Sequence, residues 1–481
     1  MKQDIKQSDE SSSENAAGDT KNKNIILILK WAISILVPVI ILMIPETGTF
    51  TPTIKVFLAV TFWGVFCMAT EIIPITFVAI MLPVFYILTN IATPAQAFGP
   101  WTTNVIWVVF GGIILAHVLM TSGLSTRIAY FTIIKSGGSF TGILIGIALA
   151  GVIINPFVPS LMAKVAMISP IAVAVCIALN LEKKTKAASA VMLAAFLGLI
   201  SSRLGFLTGE AGIPMSMNLV ADVTGYTVSW AEYAYHNLLL SLIFTMICIT
   251  IVIVVLRPEK VIEGKEGIVE KYKELGPIKP AEKKVIGLLI MATVVLLTDS
   301  IHGISPAWIF MVIGLITFLP GINLMNDEQL GKLNFKILFL VAGCMAIGSV
   351  ANISGTAKWM ADILAPLMAG TSPLQTIIMS WLFGALSIFV LTPLPALGSL
   401  PGPLAEIALQ LDMNPLPIVY AFIYGTDQYI LPYIFPGLLF IYSFGYISMK
   451  SLMMVFIPRL IASGLFIILV AYPYWRLIGL L

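Results

Sequence analysis

The residues Asn155-Pro156-Phe157-Val158-Pro159-Ser160 interrupt an apolar segment that runs over 139–180. A second apolar segment, 372–411, is interrupted in the same way by Thr392-Pro393-Leu394-Pro395-Ala396-Leu397-Gly398-Ser399. Each segment is long enough for two half-spans that meet at a turn, which predicts a re-entrant hairpin. Bare backbone at such a tip is tolerated in a bilayer only where it faces protein or a water-filled cavity.

The two interrupted segments belong to a unit that the sequence contains twice. Residues of one type recur at a single gap-free offset of 232 residues: Gly111 and Gly343, Ser122 and Ser354, Pro74 and Pro306. Glycine and proline are common in membrane helices, so a single match means little, but one offset through all pairs is not expected by chance. Two hydrophobic units in opposite orientation are typical of secondary transporters.

The composition is that of a polytopic membrane protein. Of the 481 residues, 59% are hydrophobic and 11% are charged, whereas a soluble domain carries about 25% charged residues. The net charge of +3 is too small to indicate nucleic-acid binding, and the four cysteines are scattered through apolar stretches without metal-ligand or disulfide spacing. No glycine-rich phosphate loop follows a strand-like run, which argues against an ATP-driven pump.

We expect an all-α polytopic membrane protein with about 11 transmembrane helices and two re-entrant hairpins in an inverted repeat. Residues 1–23 are polar, which predicts a disordered cytoplasmic tail. The rest of the chain divides into N-terminal helices at 24–70, a first repeat at 71–256, a cytoplasmic loop at 257–283 and a second repeat at 284–476. Beside its hairpin, each repeat contains an interrupted span that predicts a broken helix, at 187–219 and at 414–443.

Positive charge predicts the orientation in the membrane. Lys21 and Lys23 place the N-terminus inside, and the basic loop at 257–283 also falls inside under this helix count. The predicted outside loops near 91–103 and 220–232 contain no Lys or Arg. We therefore expect a multi-pass plasma-membrane protein with a cytoplasmic N-terminus and an outside C-terminus, in which the first hairpin opens inward and the second outward.

Two basic side chains are predicted at bilayer depth. Lys164 lies four residues past Ser160 at the first hairpin tip, and Arg203 lies about 17 residues beyond Lys186, near the midplane at about 1.5 Å per residue. A lysine there either attracts an anion or stands in for a bound cation, or else snorkels or pairs structurally. Arg203 either grips a carboxylate or sulfate with two hydrogen bonds or forms an internal ion pair with Glu210.

The broken helices carry further polar groups. Hydroxyls and glycines accompany Arg203 in the first, and the second contains Asp427, which could coordinate a cation, carry a proton, or pair with Lys164 or Arg203. Broken helices aim helix N-termini and backbone groups at a ligand. His117 and His302 are isolated, and each is expected to be a packed core or interface histidine.

These segments resemble the divalent anion:sodium symporter family of di- and tricarboxylate and sulfate carriers, over about residues 50–476. Beside the paired hairpins, the resemblance rests on Thr70-Glu71-Ile72-Ile73-Pro74, Asp412-Met413-Asn414-Pro415, and Leu431-Pro432 followed by Phe435-Pro436-Gly437. It implies eleven spans, two re-entrant hairpins, a homodimer and elevator-type alternating access. It also implies a scaffold, built from the N-terminal helices and the early spans of each repeat, and a mobile transport domain of hairpins and broken helices.

The hairpin tips depart from that family. Its members carry Ser-Asn-Thr at each tip, where side chains bind substrate carboxylates and help to form two sodium sites. This chain has Ser160-Leu161-Met162 and Thr392-Pro393-Leu394 instead, and Phe435-Pro436 where the family has Thr-Pro. Side-chain oxygens for sodium are therefore depleted, and we expect that sodium is not strictly required. Na⁺ and H⁺ both stay open as coupling ions, with no resident cofactor and no certain metal site.

We expect a secondary active transporter of small anions, foremost di- or tricarboxylates, that works by exchange or cation-coupled symport. The alternatives are a carrier of sulfate or another oxyanion, and a channel. The sequence has no nucleophile–base set of an enzyme. The expected partners are the anion, bilayer lipid and a second copy of the chain, with no nucleic acid. The expected substrate-binding residues are Ser160, Lys164, Arg203, Thr208, Gly209, Thr392, Pro393, Pro436 and Gly437, and the cation ligands or charge partners are Glu210, Thr426 and Asp427.

Overall fold

The computed structural model describes residues 25–70, 72–137, 139–257, 265–368, 370–388, 391–430 and 435–481. Within these ranges the chain forms helices and no strand, because a helix satisfies its own backbone hydrogen bonds in lipid. The predicted tail at 1–23, Glu71 and the Leu431-Pro432 pair lie outside the described residues.

The helices of the N-terminal segment and the first repeat follow the apolar runs of the sequence. They are α1 (Ile25–Met43), α2 (Pro52–Thr70), α3 (Ile75–Leu88), α4 (Pro94–Ala97), α5 (Asn104–Ser122), α6 (Leu124–Lys135), α7 (Phe140–Ile154), α8 (Leu161–Ala178), α9 (Lys186–Ser202), α10 (Gly212–Thr224) and α11 (Trp230–Val255). Short 3₁₀ turns occupy Gly99–Thr102, Asn155–Phe157 and Arg203–Gly205.

The linker and the second repeat continue the series. Their helices are α12 (Lys265–Glu274), α13 (Pro280–Leu297), α14 (Asp299–His302), α15 (Pro306–Ile316), α16 (Asp327–Gly331), α17 (Lys336–Ile353), α18 (Thr356–Met368), α19 (Pro373–Ser387), α20 (Pro393–Ser399), α21 (Pro401–Gln410), α22 (Pro415–Thr426), α23 (Pro436–Ser443), α24 (Met449–Phe466) and α25 (Tyr472–Leu477). A π-helical turn at Ile467–Ala471 joins the last two.

The expected all-α polytopic membrane fold is confirmed. In the described part of the chain, nine helical stretches are long and apolar enough to cross a membrane. Both halves of the first interrupted segment are among them, at Phe140–Phe157 and Leu161–Ala178, with 18 residues each. By length each half can span a bilayer, so the re-entrant course of the hairpins and the count of 11 spans stay predictions.

The repeat is visible in the positions of the helices. Helices α5, α6 and α8 begin at residues 104, 124 and 161, and α17, α18 and α20 begin at 336, 356 and 393, each 232 residues later. The packing is reciprocal, because α3 of the first repeat lies against α17 of the second, while its counterpart α15 lies against α5. Each repeat therefore buries helices of the other.

Two glycines at matching positions permit this reciprocal packing of the helices. A Cβ at Gly111 would lie 2.6 Å from the carbonyl carbon of Phe310 and 2.9 Å from the amide nitrogen of Met311. A Cβ at Gly343 would lie 2.3 Å from the carbonyl oxygen of Ala79, whose counterpart at the offset of 232 is Met311. The recurring glycines thus mark two equivalent points at which helix backbones touch, the packing that small residues allow in membranes.

The linker between the repeats is fixed to the first repeat. Arg127 on α6 donates from Nε to Oε1 of Glu282 on α13 at 2.9 Å, and from Nη1 to the carbonyl oxygen of Gly276 at 3.0 Å. Both side chains of the ion pair are almost fully buried. Helix α9 forms the centre of the fold, since its 18-residue apolar window is entirely buried between α7, α8 and α11.

We expect Gly111→Ala and Gly343→Ala each to lower the free energy of unfolding by about 1–3 kcal/mol, because the new methyl group meets backbone that cannot move aside cheaply. Melting of the purified protein in detergent, followed by intrinsic tryptophan fluorescence, measures the change. The matched control is Gly287→Ala on α13, where a Cβ would meet nothing within 4 Å and where alanine should add about 0.5–1 kcal/mol. Equal melting temperatures for all three variants would contradict the close approach.

Candidate functional site

The first hairpin tip and the first broken helix interlock through their backbones. The 3₁₀ turn at Asn155–Phe157 ends α7, and the chain then runs to α8. The hydroxyl of Thr208 donates to the carbonyl oxygen of Pro156 at 2.7 Å, and the amide of Ala211 donates to that of Pro159 at 2.9 Å. The proline-rich tip cannot form helical hydrogen bonds, so residues of the break in the next helix satisfy its carbonyls.

Lys164 lies at the centre of this junction and is fully buried. Its Nζ donates to Oδ1 of Asn155 and to the carbonyl oxygen of Gly209. The amide group of Asn155 is fixed in turn by the carbonyl oxygen of Leu199 at 2.8 Å and by the hydroxyl of Ser202. Among the described residues no carboxylate forms an ion pair with Lys164. The ammonium group is therefore held by neutral oxygens.

Arg203 and Glu210 form the internal ion pair that was one of the two expectations for Arg203. The guanidinium donates from Nε to Oε2 of Glu210 at 2.5 Å, from Nη1 to Oδ1 of Asp427 at 2.5 Å, and from Nη2 to the hydroxyl of Tyr429 at 3.0 Å. Of the roles left open for Asp427, the structure shows that of a partner of Arg203, and it shows no direct pairing with Lys164 among the described residues.

Arg459 on α24 completes the cluster, and the sequence analysis missed it. It is fully buried, donates to Oδ2 of Asp427 and, at 2.6 Å, to the carbonyl oxygen of Asp427, and lies 5.2 Å from the ring centre of Phe244. The signal was present, because an arginine inside the apolar run 452–476 is as unusual as Arg203 inside its own.

The cluster contains an excess of positive charge. Three cationic side chains (Lys164, Arg203 and Arg459) face two anionic ones (Glu210 and Asp427) in a region where each is at most 6% exposed. With all five groups ionised, one positive charge has no carboxylate to balance it in the described part of the chain. Burying such a charge is costly, and a bound anion lowers that cost.

The second hairpin meets this region through α10. The hydroxyl of Ser216 donates to the carbonyl oxygen of Leu397 on α20 at 3.0 Å. At the offset of 232, the counterparts of Lys164 and Arg203 are Ala396 and Phe435. The charges are therefore not repeated in the second unit.

The remaining predicted site residues lie at helix ends. Ser160 caps α8 by accepting from the amide of Ala163 at 3.3 Å, and Thr392 and Pro393 begin α20. Thr426 is buried at the end of α22, and Pro436 and Gly437 begin α23. Their contact with an anion stays a prediction. Among the described residues no cluster of three or more His, Cys, Asp or Glu could hold a metal ion.

Comparison with known proteins gives three findings. The family described as the sodium:sulfate symporter transmembrane region matches residues 26–481. The chain is 26% identical over 447 residues to the sodium-dependent dicarboxylate transporter SdcS of Staphylococcus aureus (strain USA300), covering 86% of this chain and 85% of that protein. It is 23% identical over 268 residues to the inner membrane protein YbhI of Escherichia coli K12, a match that spans 55% of this chain and 56% of that protein.

One solved structure has a similar fold. The YdaH transporter of Alcanivorax borkumensis superposes with a TM-score of 0.53 at 15% identity, over 89% of this chain and 99% of that one. At this identity the likeness concerns the fold alone.

We expect Arg459→Met to lower the free energy of unfolding by about 1.5–3 kcal/mol, because the buried carboxylate of Asp427 loses its hydrogen bond from Arg459 but keeps the one from Arg203. The double variant Arg459→Met, Asp427→Asn should lose less than the sum of the single variants, since the two residues interact directly. The control is Arg476→Met, whose exposed side chain lies on the next helical segment and whose loss should be almost neutral. Thermal melting in detergent measures all four variants, and additive losses would show that the two residues are not coupled.

Proposed function

The chain belongs to the sodium:sulfate symporter family, and from this premise we propose that it exchanges small organic dianions, such as C4-dicarboxylates, across the membrane. As a member of this family it is a multi-pass membrane transporter and not an enzyme. The relative SdcS, which matches over most of its length, is named for sodium-dependent dicarboxylate transport, and this supports a dicarboxylate as the substrate class.

The observation that carries the proposal is the excess positive charge where the first hairpin tip meets the first broken helix. Lys164 lies there without a carboxylate partner among the described residues, and Arg203 lies on the same break. A dianion that enters this region of low dielectric needs its charge met by nearby cations. The ammonium of Lys164 meets part of that charge, and Gly209 allows the backbone of the broken helix to fold closely beside it, since a Cβ there would lie 2.1 Å from the carbonyl oxygen of Arg203.

The surroundings of Lys164 bear on the coupling ion. An amide oxygen of Asn155 and a carbonyl oxygen of Gly209 hold its ammonium group, and neutral oxygens of this kind also replace the hydration shell of a bound alkali cation. We infer that the lysine occupies the place of one cation. Since the lysine cannot dissociate, the carrier keeps this positive charge after the anion leaves. The return of the binding site to the other side of the membrane is therefore easier with another anion bound. This argument favours exchange over sodium symport.

The proposed movement is of the elevator type, with both hairpins and both broken helices as the mobile unit. The ion pairs support a rigid unit, because Asp427 of the second repeat is bound by Arg203 of the first and by Arg459 on α24. The reciprocal packing of α3 with α17 and of α5 with α15 supports a separate scaffold. A homodimer formed through this scaffold, a cytoplasmic N-terminus and an outside C-terminus complete the proposal.

We expect wild-type proteoliposomes loaded with succinate to take up labelled succinate equally well when choline replaces sodium. Lys164→Asn should reduce uptake in choline at least tenfold, about 1.4 kcal/mol, and sodium should restore part of it because the oxygen cage is then free for a cation. The control Lys271→Met, on an exposed side chain of α12, should leave uptake unchanged.

A collapse of wild-type uptake in choline would refute the sodium-independent mechanism. Uptake of labelled sulfate that unlabelled succinate does not inhibit would instead favour the oxyanion carrier. Passage of ions without saturation or counterflow would favour a channel.

The hairpin tips should react from opposite sides of the membrane. Single cysteines at Ser160 and Thr392 are expected to be accessible to an impermeant thiol reagent from the inside and the outside respectively, and substrate should change both rates as the mobile unit shifts. The comparison variant without an added cysteine should not react, since the four native cysteines are buried. Labelling of both tips from the same side under all conditions would rule out opposed hairpins.

A further inference from the structure

A cavity of about 310 Å³ lies beside the first hairpin tip, outside the charge cluster. Helix α5, the start of α8 and the segment that leads into α17 line it. Its polar lining consists of His117 on α5, Ser160 at the tip, and Lys332 and Asn334 before α17, and the rest is formed by methionine and aliphatic side chains. This size and this pattern of a few polar groups in an apolar wall are those of small-ligand pockets.

Two of the polar side chains that line this cavity, His117 and Lys332, are not held by a strong interaction. Nε2 of His117 is buried and has no hydrogen-bond partner among the described residues. Nζ of Lys332 pairs with Oε1 of Glu328 at 2.5 Å, but the two side chains are 63% and 76% exposed, and a surface pair of this kind contributes little energy. A dianion could therefore recruit the lysine without breaking a strong interaction.

A second cavity lies at the opposite end of α5 and differs in both size and charge. It measures about 90 Å³, and its polar lining comes from uncharged side chains such as Asn104, Thr208, Asn218 and Ser305. Helix α5 has 19 residues, which corresponds to about 28 Å at 1.5 Å per residue. The two cavities thus lie on opposite sides of the tip, and only the lining at the Lys332 end includes a cationic side chain.

We propose that the cavity of His117, Ser160 and Lys332 is an additional binding site for a small dianion. The anion binds there on its way between the charge cluster and the membrane face on which Lys332 lies. This inference rests on the proposed function and adds a kinetic asymmetry to it. The Lys332 side, which is the predicted cytoplasmic side, binds the dianion more tightly than the opposite side.

Cysteine substitution and charge rescue test the proposal. Lys332→Cys is compared with Lys336→Cys, since both lysines are exposed and lie four residues apart, but only Lys332 lines the cavity. Each variant is treated with aminoethyl methanethiosulfonate, which restores a positive charge, or with the sulfonatoethyl reagent, which adds a negative one. The native cysteines Cys67, Cys176, Cys248 and Cys344 are buried, so labelling is directed to the new thiol.

We expect Lys332→Cys to raise the succinate concentration for half-maximal exchange about threefold or more from the Lys332 side, and less from the other side, with the difference shrinking at high ionic strength. The aminoethyl group should restore the wild-type value, and the sulfonatoethyl group should raise it further. Lys336→Cys should change it little with either reagent. The same ranking of the labelled and unlabelled variants is expected for their affinity for succinate in detergent, measured as the ligand-induced rise in melting temperature.

His117→Gln is a second variant that does not alter the fixed charge of Lys332. It should also raise the half-saturating concentration from the Lys332 side. Wild-type exchange combined with identical behaviour of the 332 and 336 variants would overturn the additional site and leave the proposed function intact. Absence of any saturable anion exchange by the wild-type protein would overturn the proposed function itself.

Discussion

A carboxylate buried between two guanidinium groups holds the central part of this protein together. Asp427 ends α22, Arg203 ends α9, and Arg459 lies within α24, so one carboxylate joins three helices from both repeats. The arginine at the end of α9 also donates to the carbonyl oxygen of Ile200 and thereby satisfies a group that the helix break leaves without a partner. Glu210 lies just before α10, where a negative charge is favoured by the helix dipole.

The helix breaks thus explain why charged side chains occur in the buried interior. An apolar sequence could not interrupt two helices in the buried interior, because the free backbone groups would have no partner. Once the breaks are present, arginine at a helix end and glutamate at a helix start compensate the terminal partial charges. Asp427 is the exception, since a carboxylate at a helix C-terminus is unfavourable by itself, and two arginines stabilise it there.

The packing follows the repeat, whereas the chemistry of the site does not. Gly111 and Gly343 make equivalent backbone contacts, but the counterparts of Lys164 and Arg203 are Ala396 and Phe435. The glycines are constrained by helix packing in both repeats. The side chains at the tips and breaks are free of that constraint, so the two halves carry fixed charges at different positions.

The sequence predicted the helical membrane fold, the repeat and the two interruptions, because all three are periodic or compositional signals. It also predicted that Lys164 and Arg203 are unusual, and it offered the pair with Glu210 as one of two roles for Arg203, since that pair is local. It could not choose among the partners of Asp427, because Arg203 and Asp427 are 224 residues apart. The sequence indicates only a turn at Asn155, whereas its amide group reaches Leu199 and Lys164, contacts that sequence spacing does not reveal.

The reciprocal packing of the repeats also constrains how the chain can be made. Helix α3 ends at residue 88, and its partner α17 begins at residue 336. At a synthesis rate of about 5–20 residues per second, α3 waits roughly 12–50 s before its partner exists. Helix α5, which contains Gly111, waits in the same way for α15, which begins at residue 306, and the cell must keep a half-finished apolar protein from associating with other chains. Completion of the fold is therefore set by translation, and a chain arrested between the repeats would leave uncovered the faces of α3 and α5 that pack against the second repeat.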